Sequence, residues 1–376
     1  MSHETTQVRS RRRTYFVQLV IVNVAVFGGL MVFVEGLASY TLFAQRLLAA
    51  RPLAERRHTE YDPELGWVNT PNTHIEDMYG AGISLNINGQ RFRSDHDFGE
   101  AVPPGKLRAV CSGDSFTLGY GVDDRHTWCH LLSILEPRLE TVNMGQGGYG
   151  VDQAYLWYMR DGVRFTHHIH IVAVITDDFQ RMQANSILGY PKPLLDLEDG
   201  RLVAKNVPVP ERAGYQIWLS NAVLRGNELR SVDLVTRAFT RLGLRALAPG
   251  GRRGEVNEKT RRVVEKLFEN LAKLDAAHGR RLVVVYIPVL SELQGDGANE
   301  WLRVIETTTR ALGIPLVNIV ESFRAFSPTE AAALYIPEGS LAYTGAAGHL
   351  NDAGNRRVAE IVYAALMTGN PSLSRD

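Results

Sequence analysis

The side chains of this chain best suited to chemistry fall in four short turns. Gly113-Asp114-Ser115-Phe116 sets a hydroxyl beside a carboxylate, with Thr117-Leu-Gly-Tyr-Gly-Val122 directly after it. Asn143-Met-Gly-Gln-Gly-Gly148-Tyr-Gly150 is a glycine run whose backbone a reacting group can approach closely. Thr176-Asp177-Asp178-Phe179 supplies two carboxylates, and Gly348-His349-Leu350-Asn351 an imidazole. A hydroxyl is a poor nucleophile until a base takes its proton, and imidazole is the commonest such base. Each turn also has a plainer reading. Ser115 is a good helix N-cap, His349 a capping or surface residue, and Asp177-Asp178 an ordinary turn and helix start. Which reading holds depends on whether the fold gathers the four.

The elements that must position them alternate in type. Leu107–Ser112 is an apolar run ending at Gly113, with a helical pattern over Thr127–Leu135. Thr141–Asn143 precedes the glycine run, and a helix is expected over Val151–Met159. Ile169–Ile175, Leu282–Ile287 and Pro315–Ile319 are further strand candidates, with helices over Glu258–Ala277, Glu300–Leu312 and Asp352–Met367. Apolar strands alternating with amphipathic helices imply a mostly parallel sheet covered on both faces. In such sheets ligands collect beyond the carboxyl ends of the strands. The first three turns end strands, the fourth precedes the last helix, and each is in a position to face the same rim.

Two stretches break the rhythm. Residues 44–105 form a juxtamembrane and β-hairpin extension, with Ile83, Leu85 and Ile87 alternating before an Asn88-Gly89 turn signal. Residues 180–253 form an insertion, with a hairpin from Leu194–Leu197 to Leu202–Val209 and a helix near Ile217–Leu244. Its length marks it as a cap or docking surface.

Phe16–Val34 is almost wholly apolar, and about 20 such residues cross a hydrocarbon core of about 30 Å. It exceeds the apolar region of a signal peptide, and Gly36-Leu37-Ala38 is a poor cleavage site. A retained anchor over residues 14–43 is expected, with a cytoplasmic tail over 1–13. Arg9, Arg11, Arg12 and Arg13 before the span outweigh the dispersed Arg46, Arg51, Arg56 and Arg57 after it. The main domain then lies outside a bacterial inner membrane, in the periplasm. Glu35 is expected to snorkel to the interface.

Composition narrows the classes. With 41 Lys+Arg against 41 Asp+Glu, nothing suggests a nucleic-acid partner. Two cysteines cannot build a Cys-rich zinc site, and Cys111 and Cys129 read as small buried hydrophobes, although an exported location permits a disulfide. His167, His168 and His170 cluster without an evident carboxylate or thiol, so no metal is expected there. The glycine run lacks the GxGxxG spacing of a dinucleotide site. No metal or organic cofactor is implied.

Taken together, GDSFTLGYGV, NMGQGGYG and a late GHLN resemble the SGNH (GDSL-type) hydrolase superfamily over residues 106–368, with Ile287-Pro288 after the fourth strand. Tyr61-Asp-Pro-Glu-Leu-Gly-Trp67 resembles a segment of its membrane-anchored bacterial members. The resemblance implies a flavodoxin-like three-layer sandwich. It makes Ser115 the nucleophile, His349 the base, and the N–H groups of Ser115 and Gly148 the oxyanion donors. Two positions depart from the pattern. The family's third oxyanion donor, an Asn, is Asp177 here, and an ionised carboxylate cannot donate. The Asp three residues before the catalytic His is Ala346, leaving Glu338 or Asp352 as substitutes without a spacing rule behind them.

Two functions follow as expectations. One is an anchored serine esterase or O-acyltransferase acting on acylated envelope glycans or small esters. The other is a catalytically degenerate structural subunit, held to membrane lipid by its helix and docked with subunits of an envelope, respiratory or photosynthetic complex.

Overall fold

Alternate residues of each apolar strand enter two different cores. In the computed structural model, which describes residues 2–48, 55–187, 190–211, 231, 234, 235, 238, 256–294 and 299–368, the chain forms two bodies. The larger comprises residues 52–213 and 253–376. Its sheet contains β5 (Leu107–Gly113), β6 (Leu139–Gly145), β7 (Ile169–Val174), β12 (Arg281–Tyr286) and β13 (Leu316–Asn318). All neighbours are parallel, in the order β13-β12-β7-β5-β6. Counting these five strands along the chain gives 2-1-3-4-5, the flavodoxin-like order, with its switch point between β5 and β7.

On one face Val110, Val142, Val172 and Val284 pack with Trp157, Phe268 and Trp301 from the helices Val151–Arg160, Glu258–Ala277 and Glu300–Leu312. On the other, Ala109, Ile171 and Val285 pack with Trp128, Phe323 and Val358 from the helices Trp128–Leu135, Ile319–Arg324 and Asp352–Thr368. The result is the expected three-layer sandwich. Helix starts follow their capping residues: Thr127, Asn257 and Asn299 each accept from the first turn of the helix they precede.

Cys111 and Cys129 are both fully buried, as small hydrophobes would be, but they are also joined by a disulfide between β5 and the helix Trp128–Leu135. His170 does meet a carboxylate, one far away in sequence, and His167 is linked to the same carboxylate through Tyr158. Asp275 Oδ2 lies 3.0 Å from His170 Nδ1, while Ser112 Oγ lies 3.0 Å from His170 Nε2. Tyr158 donates to Asp275 Oδ1 at 2.9 Å and lies 2.9 Å from His167 Nε2. Burial pushes His167 down to about 3. The cluster is a closed polar network inside the core, and no metal-type grouping occurs among the described residues.

The extension pairs differently from its turn signal. β1 (Thr59–Asp62) pairs with β2 (Gly66–Asn69), and β3 (Thr73–Gly80) with β4 (Ile83–Ile87). The β4 hairpin therefore closes backward, through Ala81-Gly82. Asn88-Gly89 instead heads a turn in which Asn88 Oδ1 accepts from the N–H groups of Gln90 and Phe92. In the insertion, β10 (Leu194–Glu198) and β11 (Arg201–Lys205) form the expected hairpin. The helix expected over Ile217–Leu244 lies almost wholly outside the described residues.

The smaller body comprises residues 1–51 with 214–252, so the insertion is shared between the two bodies. Its long helix, α1 (Ser2–Leu48), contains Tyr15–Thr41, a stretch long and apolar enough to cross a membrane by length and composition; a signal sequence passes the same test. Glu35, in the same body, is hydrogen-bonded to Ser231. Its Oε2 accepts from Ser231 N at 3.1 Å and Ser231 Oγ at 2.7 Å.

Candidate active site

The nucleophile candidate sits where the first sheet strand stops. β5 ends at Gly113, Asp114 caps the short helix Ser115–Leu118 by accepting from Phe116 N at 2.8 Å, and Ser115 opens that helix. The N-cap is therefore Asp114, which frees Ser115 for another role. The glycine turn after β6 packs on this helix: a Cβ at Gly145 would lie 2.0 Å from Leu118 N, so only glycine fits. Gln146 N donates to Gly113 O at 3.2 Å, tying the two turns together. Gly148 follows with φ +75°, a conformation that favours glycine. Among the described residues no internal acceptor takes the N–H of Ser115 or Gly148.

His349 comes from the far end of the chain, in the turn before the helix Asp352–Thr368. Its Nε2 lies 2.8 Å from Ser115 Oγ. Its Nδ1 lies 3.2 Å from the carbonyl oxygen of Ala346. A carbonyl can only accept, so Nδ1 carries the proton and Nε2 is left to take one from Ser115. The ring is wedged between Phe116, at a centroid distance of 4.7 Å, and Tyr120, at 5.2 Å. Removal from water pushes His349 down to about 4, against the pull of the Asp114 carboxylate, and it is neutral at ordinary pH.

The orienting acid is absent from every expected place. Glu338 is exposed, and Asp352 faces His126, with Nδ1 3.9 Å from its carboxylate. The group that meets Nδ1 is instead the backbone carbonyl of Ala346. Asp177 lies half-buried in the first turn of the helix Thr176–Arg181, and no hydrogen bond links it to the Ser115–His349 pair. The engaged carboxylate is its neighbour. Asp178 accepts from Ile175 N at 3.0 Å and from Arg181 Nη1 at 2.6 Å, and Arg181 Nη1 also donates to Asp114 Oδ2 at 2.9 Å. Burial, with the charge of Asp114, pushes the Asp178 carboxyl well up.

Sequence reasoning missed Asp114, Asp178 and Arg181 as a unit. The three-residue spacing of Asp178 and Arg181 on one helix was the available signal. It also missed the aromatic surround, for which the sequence held no signal. Tyr79, tilted, and Tyr343, edge-on, pack against Tyr120 at centroid distances of 5.8 and 5.4 Å. Trp67, from β2, donates through Nε1 to Gly147 O at 2.9 Å. Ser115 itself is 3% exposed, and His349 is half-buried.

No family model matches this chain, and no curated protein does. Among solved structures it is similar to TesA, at 12% identity over 70% of this chain and 99% of that one, with a TM-score of 0.41. It is similar also to the acetyl xylan esterase AlAXEase, at 12% identity over 69% and 100%, with a TM-score of 0.38. A third is a putative lipolytic protein of the G-D-S-L family from Desulfitobacterium hafniense DCB-2, at 12% identity over 69% and 100%, with a TM-score of 0.35. At these values the likeness adds nothing to the geometry, which rests on this chain's own residues.

Proposed function

We propose that this chain is a membrane-anchored, extracytoplasmic serine esterase or O-acyltransferase of the SGNH type, acting on acylated envelope glycans or small esters. The observation that carries the reading is the 2.8 Å separation of Ser115 Oγ and His349 Nε2, two residues 234 positions apart. Ser115 Oγ attacks the acyl carbonyl and its proton passes to His349 Nε2. The N–H groups of Ser115 and Gly148 hold the negative oxygen that forms. The tetrahedral species collapses, His349 returns the proton to the leaving oxygen, and water or a second hydroxyl takes the acyl group from Ser115. The imidazolium formed in between keeps its Nδ1–H on the Ala346 carbonyl, with the Asp114 carboxylate as the nearby negative charge. A neutral carbonyl orients the ring but stabilises its cation less than a carboxylate does, so the turnover expected is slow.

The second reading, a structural subunit docked in a membrane complex, is favoured by the 3% exposure of Ser115 and by Nδ1 meeting a carbonyl and, among the described residues, no acid. Purification of the full chain in mild detergent, followed by assay with p-nitrophenyl acetate, separates the two. Hydrolysis by the isolated chain, lost in Ser115→Ala, supports the enzyme. Recovery only in a larger assembly, with no hydrolysis, supports the subunit.

A further inference from the structure

We infer that Trp67, a residue of the extension and not of the sheet domain's own helices and strands, closes the acyl side of the site, so that Ser115 accepts an acetyl-sized group and rejects longer chains. The inference rests on the esterase or acyltransferase reading above. A carbonyl oxygen seated between the N–H groups of Ser115 and Gly148 brings the acyl carbon beside Gly148. The leaving oxygen must face His349, which protonates it. The acyl chain on this inference runs off past Gly148, the residue that Trp67 lies against. A Cβ built on Gly148 would lie 3.5 Å from Trp67 Cζ2, van der Waals contact, so the indole edge already fills the space next to the loop.

The wall is fixed in place. Nε1 of Trp67 donates to Gly147 O at 2.9 Å, and the Trp67 carbonyl accepts from the Tyr149 hydroxyl at 2.5 Å. The indole packs edge-on against Tyr149 at 5.6 Å and Tyr190 at 5.8 Å and is 5% exposed. Next to Trp67 along the chain, Leu65 O accepts from Gln153 Nε2 at 2.8 Å, tying the same segment to the helix after the glycine turn. A side chain held by its ring nitrogen, both neighbouring rings and its main chain cannot swing aside for a longer substrate. A cavity of about 570 Å³ lies elsewhere, along β6 between Ser94 and Asn143, and includes none of Ser115, Gly148 or His349. It therefore offers a long acyl chain no room at this site.

The test is the chain-length profile of the full-length protein in detergent, with p-nitrophenyl acetate, butyrate and octanoate. The native chain is expected to favour acetate over butyrate in kcat/KM by about tenfold or more, since a pocket wall discriminates methylenes on that scale. Trp67→Ala is expected to lower that preference by about tenfold, by gaining butyrate turnover. Trp67→Phe, which keeps a ring without the Nε1 bond, is expected to keep the preference for acetate. A native protein that cleaves octanoate as well as acetate overturns the inference, as does a folded Trp67→Ala with an unchanged ratio. If Trp67→Ala fails to fold, the native profile and Trp67→Phe decide alone. Hydrolysis of none of the three esters overturns the enzyme reading itself and this inference with it, whereas a flat profile overturns only the role of Trp67.

Discussion

The carbonyl oxygen of Ala346 lies 3.2 Å from Nδ1 of His349, in the place where a serine hydrolase usually sets a carboxylate. Main chain, and not a side chain, meets this nitrogen, and the side chain of Ala346 points elsewhere. A Cβ built on Gly121 would lie 2.9 Å from the Ala346 methyl, which is fully buried.

Placing an acid at position 346 is therefore expected to do harm. Ala346→Asp places a carboxylate against Gly121 with no partner. The loss of stability should be about 3 kcal/mol or more, as for an uncompensated buried charge, with no gain in kcat. Urea unfolding and ester hydrolysis of the variant check both halves.

The base sets the pH profile. Burial pushes His349 from the ordinary 6.5 down to about 4, and its neutral form is the one that accepts the proton. As pH falls, activity should hold through pH 5 and fail only as the ring protonates near pH 4. A profile of kcat/KM measured below neutrality gives the midpoint of the acid limb. A limb centred near 6.5 would mean an exposed ring in the working enzyme.

Arg181 is expected to be a stability residue as much as a site residue. Its guanidinium spans Asp114 and Asp178, whose side chains are each 3% exposed. Arg181→Met leaves both without their cation, and the expected cost is about 3–5 kcal/mol. Asp178→Asn, which keeps the side-chain shape and an oxygen that can accept from Arg181 while Arg181 stays paired with Asp114, should be much milder. Thermal unfolding of the two variants gives the comparison.

The disulfide ties the nucleophile's strand to the helix Trp128–Leu135, across 18 residues of chain. Closing a loop of that length constrains the unfolded chain by about 3 kcal/mol. Cys111→Ala with Cys129→Ala is expected to lower unfolding free energy by that order while leaving ester hydrolysis measurable. Unfolding with and without reductant, on the native chain, is the matching control.

The legible parts of this molecule were those in which one local signal decides one element. Glu258–Ala277 and Glu300–Leu312 form helices with the expected bounds, because each has an apolar stripe at helical spacing and an Asn cap. Ser115 and His349 were legible because each lies in a short motif, GDSF before a helix and GHLN before the last helix, that resembles a known hydrolase pattern. Pairings across long distances were not. Asp275 reaches His170 across 105 residues, and Trp67 reaches Gly147 across 80, with nothing local to announce either contact. Asn88-Gly89 misled because a hairpin signal is local while the strand partner is chosen by packing: β4 had a better neighbour behind it. The Ala346 carbonyl was invisible for a different reason, since every residue has one.

The most direct test of the central claim is covalent labelling of the full chain by a fluorophosphonate, read by intact mass and peptide mapping. The expected result is one adduct, on Ser115, absent from Ser115→Ala and nearly absent from His349→Ala. No adduct on the folded native chain, or one that survives Ser115→Ala, contradicts the account.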